Sequence, residues 1–383
     1  MRFEFVTSAR IIFGNGTVHE VGALARTLGR KVLLVRGAGS VSPGCITKSL
    51  EEKSIAYETF QVSHEPDVGL IEKGIRFAKE SACDMVVGFG GGSVLDTGKA
   101  IAAMLTNPGE LMDYLEGVGK GQQTELQSAP MIAIPTTAGT GSEVTRNAVI
   151  SSPEHKIKVS MRSAAMIPRI ALVDPELTHS MPPSIRAASG MDALTQLIEG
   201  YTSNAANAMT DGLAREGVMR AGRSLRTAYS EPDNASARED MAIASLLSGL
   251  VLANGGLGAV HGFAGVIGGL FQTPHGAICG CLLPAVMRIN IEACKGEFGN
   301  SDCLSRYQEI AEILTHASGA DALEGVAWVD ETSGLLKIPK LASFGITSAD
   351  HSKLISQSRN TSNMKKNPIA LTDEMMLKIL KDS

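Results

Sequence analysis

The first half of the chain is punctuated by short runs of consecutive apolar residues: 31–35 (KVLLV), 85–89 (MVVGF), 131–134 (MIAI) and 170–173 (IALV). Each is too short for a helix and too uniformly apolar for a strand with one wet face. Each run is followed by turn-forming residues: Arg36-Gly37-Ala38-Gly39-Ser40, Gly90-Gly91-Gly92-Ser93, Pro135, and Asp174-Pro175. Between the runs the polarity follows a helical period. Residues 66–82 place Val68, Ile71, Ile75 and Ala78 on one face, and a second helix fits 93–105. Strands apolar on both faces, alternating with helices, predict a parallel sheet covered on both sides.

The texture changes after Pro182-Pro183. Helical patterns run over 191–202, 208–229 and 236–253, and dense glycine at 255–269 and 273–280 predicts breaks in the helices there. No alternating strand pattern, repeat or low-complexity tract follows. The reading is therefore an α/β domain over 1–180 with a parallel sheet, and an all-α domain over 181–383.

Composition narrows the function classes. Lys and Arg number 35 against 40 Asp and Glu, a net charge of −5, with no basic run to grip nucleic acid. Gly contributes 41 of 383 residues and aromatics only 4%, which fits many tight loops on a small-residue scaffold. The opening MRFEF carries an acid at position 4 and no long apolar run, so it does not read as a secretory signal. No stretch reaches the ~18 apolar residues of a membrane span. The six cysteines include no C-x-x-C pair and are read as reduced thiols. Cys279 and Cys281 are two apart, a spacing that shares a face in a strand. The expected address is the cytoplasm.

Two loops carry candidate chemistry. Gly90-Gly91-Gly92-Ser93-Val94-Leu95-Asp96 follows a buried-strand pattern and opens a helix. Glycines let a phosphate approach the backbone, and the helix N-terminus supplies N–H donors and a positive dipole. Alone, the triplet would be a plain tight turn, and it matches neither G-x-G-x-x-G nor the P-loop. A second polar loop, Pro135-Thr136-Thr137-Ala138-Gly139-Thr140-Gly141-Ser142-Glu143, ends another strand. It could cap a helix or bond a pyrophosphate or ribose. Two such loops on one sheet favour a nucleotide site beyond the strand ends.

A third constellation lies in the second half. Asp192 and Gln196 stand at i, i+4 on one helical face, and His261 and His275, two of only eight histidines, sit in apolar, Gly-rich surroundings. Each could be a satisfied core histidine. One carboxylate with two imidazoles is also a good set for a divalent metal.

The runs GGGSVLDTGKA, PTTAGTGSE, DPELT at 174–178, GMDALTQLIE at 190–199, the His261 and Pro274-His275-Gly276 pair, and MKKNP at 364–368 occur in this order over the whole chain. Together they resemble the iron-containing (group III) alcohol dehydrogenase family. The resemblance implies a dinucleotide-binding α/β domain, a helical domain, a cleft between them, and NAD(P)-dependent interconversion of an alcohol and a carbonyl. Carried over by position, it places Gly91, Gly92, Ser93 and Asp96 at the pyrophosphate, and Thr136, Thr137, Thr140 and Ser142 on the cofactor-lining loop. It also places Lys158 at the ribose, and Asp192, His261 and His275 on a divalent metal, Fe²⁺ or Zn²⁺. A small-molecule alcohol or aldehyde is the implied partner, with a homo-oligomer, a dimer, as the implied assembly; neither nucleic acid nor membrane is expected.

Three departures modify that picture. The family usually has His four residues after the ligand Asp. Gln196 stands there, a weak fourth ligand through its amide oxygen. Gly265 replaces a second family His, so no side chain there supplies a proton. NAD-preferring members often carry Asp where this chain has Gly37. Without an acid, Gly37 and Ser40 beside Arg36 predict acceptance of NADP(H). The family also includes metal-independent maleylacetate reductases, so a reductase of an acidic carbonyl compound, or a non-catalytic dinucleotide-binding protein, stands as the alternative.

Overall fold

The computed structural model describes residues 2–39, 41–155, 157–271, 273–296 and 299–383. The chain divides into two compact units. The first comprises Val6–Thr137 and Gly141–Met181; the second comprises Pro182–Ser383 with Ala138–Thr140 and the residues before Val6.

The first unit opens with strand β1 (Arg10–Phe13), helix α1 (Val21–Ala25), β2 (Lys31–Gly37), α2 (Gly44–Glu52), β3 (Ala56–Val62), α3 (Val68–Glu80), β4 (Met85–Gly90) and α4 (Gly92–Thr106). A short helix α5 (Leu111–Tyr114), β5 (Met131–Pro135), the strands β6 (Asn147–Ser152) and β7 (Ile157–Arg162), and β8 (Ile170–Val173) complete it. Six strands form one sheet in the order β1-β8-β5-β4-β2-β3, with parallel pairing throughout. β6 and β7 pair separately as an antiparallel hairpin.

Burial on both faces explains the continuous apolar runs. Along β2, Leu33 and Val35 join Ile71 and Ile75 of α3 and Ile101 of α4 in one core. Val32 and Leu34 join Leu24 of α1 and Ile46 and Leu50 of α2 in another. Helices therefore cover both faces, as parallel sheets require. The apolar runs did not reveal β1, β3, β6 or β7. β1 and β3 are the sheet edges, with partly exposed patterns that bury no continuous run. In β6 only alternate residues, Ala148, Ile150 and Ser152, are buried, a period of two.

The strand order fixes where a ligand can sit. From β2 the chain crosses to the edge strand β3, then returns to β4 on the other side of β2 and continues to β5. The order reverses between β2 and β4, and ligands of open α/β sheets bind beyond the strand carboxyl ends at such a point. Arg36 of β2 lies opposite Phe89 of β4, and Gly90 of β4 lies opposite Pro135 of β5. The turn after β2, the glycine triplet and the Thr136 loop consequently leave the sheet side by side.

Among the described residues the second unit has helices and no strands. They are α6 (Pro183–Thr202), α7 (Ala208–Ser230), α8 (Ala235–Gly255), α9 (Ala259–Phe271), α10 (His275–Lys295), α11 (Ser301–Thr315), α12 (Ala322–Leu335), α13 (His351–Ser358) and α14 (Asp373–Asp382). α6 packs against α7, α8 and α10. Each glycine-dense segment opens with a break and then continues as helix: α8 ends at Gly255 and Gly256 takes a φ of 72°, after which α9 covers 259–271, and α10 begins at His275 and runs through Gly280. Tertiary packing of a buried apolar segment overrides the weak helix propensity of glycine. Cys279 and Cys281 accordingly lie on a helix, where two positions are about 200° apart, and do not share a face. By length and hydropathy α10 would suit a bilayer, but 89% of the relevant window is buried inside the protein, which marks a core helix.

Candidate active site

In the first unit, Gly91 precedes α4 in extended backbone, and its end of the helix has no side-chain cap. Val94 and Leu95 N–H donate to Gly91 O at 3.0 and 3.1 Å, while helix geometry leaves the Gly92 and Ser93 N–H groups without an intrahelical acceptor at the switch point. Gly92 and Ser93 form the first turn. Thr136 N–H donates to Gly90 O at 3.0 Å. The Thr137 side chain lies beside Gly91, 3.2 Å from where a Cβ on Gly91 would sit.

Asp96 and Ser142 meet each other. Asp96 Oδ1 accepts from Ser142 Oγ at 2.6 Å and pairs with Lys99 Nζ at 3.0 Å, while Oδ2 accepts from Val149 N–H at 2.9 Å. Lys99 is fully buried and also donates to Ser142 O and Thr145 Oγ1. Asp96 thus braces the second loop against α4. Lys158 on β7 pairs with Glu65 Oε2 at 2.6 Å. Thr140 lies in the segment grouped with the helical unit, where Ser248 Oγ lies 3.4 Å from Gly139 O. At the end of β2 the Arg36 guanidinium donates to Gly37 O at 3.2 Å and to Gln61 Oε1 at 3.3 Å. Ser40 lies outside the described residues. Glu143, wholly buried, has its pKa pushed up to about 7 by that burial.

In the second unit, Asp192 on α6, His261 on α9 and His275 on α10 converge. His261 Nε2 is 3.4 Å and His275 Nε2 3.8 Å from Asp192 Oδ1. The imidazole centroids are 5.3 Å apart. Cys279, one turn after His275, places Sγ 3.6 Å from His275 Nε2 and 3.8 Å from His261 Nε2. One donor atom from each of these four residues lies within 4.8 Å of the others. Asp192 Oδ1 is buried without a hydrogen-bond partner, a costly state for a carboxylate oxygen. His275 is the half-exposed member, at 38% side-chain exposure against 3% for Asp192.

Glu199 sets the orientation of His261. Its Oε2 accepts from His261 Nδ1 at 2.6 Å and from the His261 N–H at 3.3 Å, and its Oε1 accepts from Val260 N–H at 2.6 Å. Glu199 fixes a proton on Nδ1, which leaves Nε2 as the ring atom that faces the cluster. Gln196, one turn after Asp192, accepts from Ser248 Oγ through Oε1 at 2.9 Å. Gly276 allows the close approach of α10 to α6, since a Cβ there would lie 2.2 Å from Ala188 O and 3.1 Å from Asp192 Cβ.

The electrostatics favour positive charge. Burial opposes the imidazolium of His261, yet Cys279, Asp192 and Glu199 outweigh it and raise its pKa well above the ordinary value. Burial likewise opposes charge on His275, but Cys279 and Asp192 raise it. Burial alone would raise Asp192, but the close polar contact with His261, the charge of both histidines and the Gln196 side chain hold it below the usual carboxylate value.

Sequence reasoning passed over Glu199 and Cys279. Asp192, Gln196 and Glu199 are i, i+4 and i+7 on α6, one helical face. Cys279 is i+4 from His275 on α10. That second signal was hidden by the expectation of a break at 273–280.

Residues 8–175 match the family described as iron-containing alcohol dehydrogenase, and residues 186–383 match the C-terminal part of the Fe-containing alcohol dehydrogenase family. The chain is 33% identical over 377 residues to alcohol dehydrogenase 4 of Saccharomyces cerevisiae, covering 96% of this chain and 95% of that protein. It is 34% identical over 376 residues to 1,3-propanediol dehydrogenase of Klebsiella pneumoniae, covering 96% and 95%. A crystal structure of a 1,3-propanediol oxidoreductase superposes with a TM-score of 0.92 at 31% identity, covering 100% of this chain and 99% of that one. Fold and homology define an oxidoreductase acting on CH–OH groups. The chain belongs to the iron-containing alcohol dehydrogenase family, which uses NAD(P) and a divalent metal.

Proposed function

We propose that this protein interconverts a small alcohol and its carbonyl compound, with a divalent cation held by Asp192, His261 and His275. The observation that carries the reading is the buried Asp192 Oδ1, which makes no hydrogen bond and faces two imidazole nitrogens at 3.4 and 3.8 Å, within ligand reach. A carboxylate oxygen with two imidazole nitrogens suits Fe²⁺ or Zn²⁺. When bound, the cation supplies Lewis acidity toward the substrate oxygen and the nicotinamide supplies or accepts the hydride.

The protein's own residues do the positioning. Asp192 contributes charge, Glu199 keeps the His261 proton on Nδ1, and Gln196 supports Asp192 from the same helix face. The switch point at Gly91, Gly92, Ser93, Thr136 and Thr137 receives the pyrophosphate on the N-terminus of α4. Asp96 and Ser142 hold that loop in shape. Lys158, held beside Glu65, is assigned to the ribose, and Thr140 to the cofactor-lining loop. A Cβ at position 265 would have nothing within 4 Å, so the proton exchanged with the substrate oxygen is assigned to water.

The dinucleotide is proposed to be NADP(H) as readily as NAD(H). Gly37 presents no acid at the end of β2, and the Arg36 guanidinium lies against it, ready to meet a 2′-phosphate. All six cysteines are free thiols, which supports a cytoplasmic assignment; a homo-oligomer is proposed on the family resemblance alone.

Asp192→Ala tests the reading. It is expected to abolish metal retention and turnover while leaving dinucleotide binding, measured by fluorescence titration, within about twofold. Turnover by the fully chelated variant equal to that of the untreated parent protein would overturn it.

A further inference from the structure

We propose that Cys279 is the fourth protein ligand of the metal, binding as a thiolate. This rests on the metal reading above. Ideal tetrahedral coordination at about 2.0–2.1 Å for nitrogen or oxygen and about 2.3 Å for sulfur has edges of about 3.3–3.4 Å between N and O and about 3.5–3.6 Å between N and S. The cluster has N–O distances of 3.4 and 3.8 Å and S–N distances of 3.8 and 3.6 Å. These four of the six edges therefore need to contract by no more than about half an ångström, and all four donor atoms lie within 4.8 Å of one another. Cys279 is fully buried and its sulfur faces both imidazole Nε2 atoms, the nitrogens that also face Asp192.

The amide oxygen of Gln196, the other candidate fourth donor, lies 2.9 Å from the Ser248 hydroxyl, whereas the Cys279 sulfur lies against both imidazoles. The site is thus a carboxylate–imidazole–imidazole–thiolate set, with Gln196 outside it. As the S–metal bond forms, the Cys279 thiol releases its proton to solvent, so metal uptake is coupled to proton release. A thiolate shifts preference toward softer, tetrahedral ions, and the geometry selects Zn²⁺ or Co²⁺ over Mn²⁺ and Mg²⁺. Cys281 is the natural control. It lies about 200° away round α10 and its sulfur is bonded to Ser383 O at 3.5 Å.

The test is absorption spectroscopy of the full chain titrated with Co²⁺ after removal of its metal. The parent protein is expected to bind one Co²⁺ per chain with a near-ultraviolet thiolate-to-cobalt charge-transfer band. Cys279→Ser should lose that band while keeping visible d–d absorption. Its Co²⁺ affinity should be weakened by at least about tenfold, the lower end of what loss of even an outer-shell partner costs. Cys281→Ser should keep the band. Bound Co²⁺ without the band in the parent protein, or a band that survives in Cys279→Ser, overturns the thiolate ligand and leaves the metal reading standing. No Co²⁺ binding by the parent protein overturns both. The parent spectrum decides the point even if Cys279→Ser folds poorly.

Discussion

Glu199 is a buried carboxylate with three donors aimed at it: Val260 N–H, His261 N–H and His261 Nδ1. Glu199→Gln keeps the size and removes one acceptor. The surviving amide oxygen serves the 2.6 Å contact to Val260 N–H, which turns the NH₂ toward His261. The imidazole then takes its proton on Nε2, the nitrogen needed for the metal, and the His261 N–H loses its acceptor. An unsatisfied buried donor costs about 1–3 kcal/mol, and loss of a charge-assisted hydrogen bond adds about as much. The metal-free fold should therefore lose about 2–6 kcal/mol in urea unfolding. Metal affinity should fall by about 10–100-fold, measured by competition with a chromophoric chelator at fixed pH. Lost stability with a metal Kd within about twofold of the parent protein would show that Glu199 only packs, and the tautomer reasoning would be wrong.

Other outcomes follow from the first unit. Glu143 has a folded-state pKa of about 7 against an ordinary 4.5. The fold therefore favours its neutral form, and a penalty absent below about pH 4.5 grows until about pH 7, reaching about 3 kcal/mol at ~1.4 kcal/mol per unit. Glu143→Gln should remove that penalty, raising stability at pH 8 by up to about 3 kcal/mol with little change at pH 4.5; an unchanged pH slope in denaturant unfolding would contradict it. Gly37→Asp should place a carboxylate where a 2′-phosphate would lie and lower kcat/KM for NADPH by about tenfold or more while sparing NADH. Equal losses with both cofactors would mean the substitution merely disturbs the turn.

The sheet was legible because its inner strands are buried on both faces. KVLLV and MVVGF are apolar throughout since Val32 and Leu34 face one core while Leu33 and Val35 face the other. The edge strand β3, with the sequence AYETFQV, lacks that constraint and its pattern is correspondingly mixed. Glycine misled in the opposite direction. In α9 and α10 it marks close helix packing, as at Gly276 against Ala188, rather than a chain break. That error separated His275 from Cys279 in the reading, although both lie on one face of α10. Asp192, His261 and His275 could be named by chemistry and motif. Their meeting at one point, and the part of Glu199 in orienting His261, depend on helix contacts between residues more than 60 positions apart, which no local pattern encodes.

Asp192, His261 and His275 would hold a divalent cation, which would supply Lewis acidity toward the substrate oxygen. The most direct measurement is metal content of the purified protein by mass spectrometry, paired with NADPH and NADH oxidation on a short-chain aldehyde panel before and after chelation. Near one metal per chain, with turnover lost on chelation and restored by Fe²⁺ or Zn²⁺, is the expected result. Metal-free protein with chelator-resistant turnover would contradict it and make the cluster a set of substrate contacts instead.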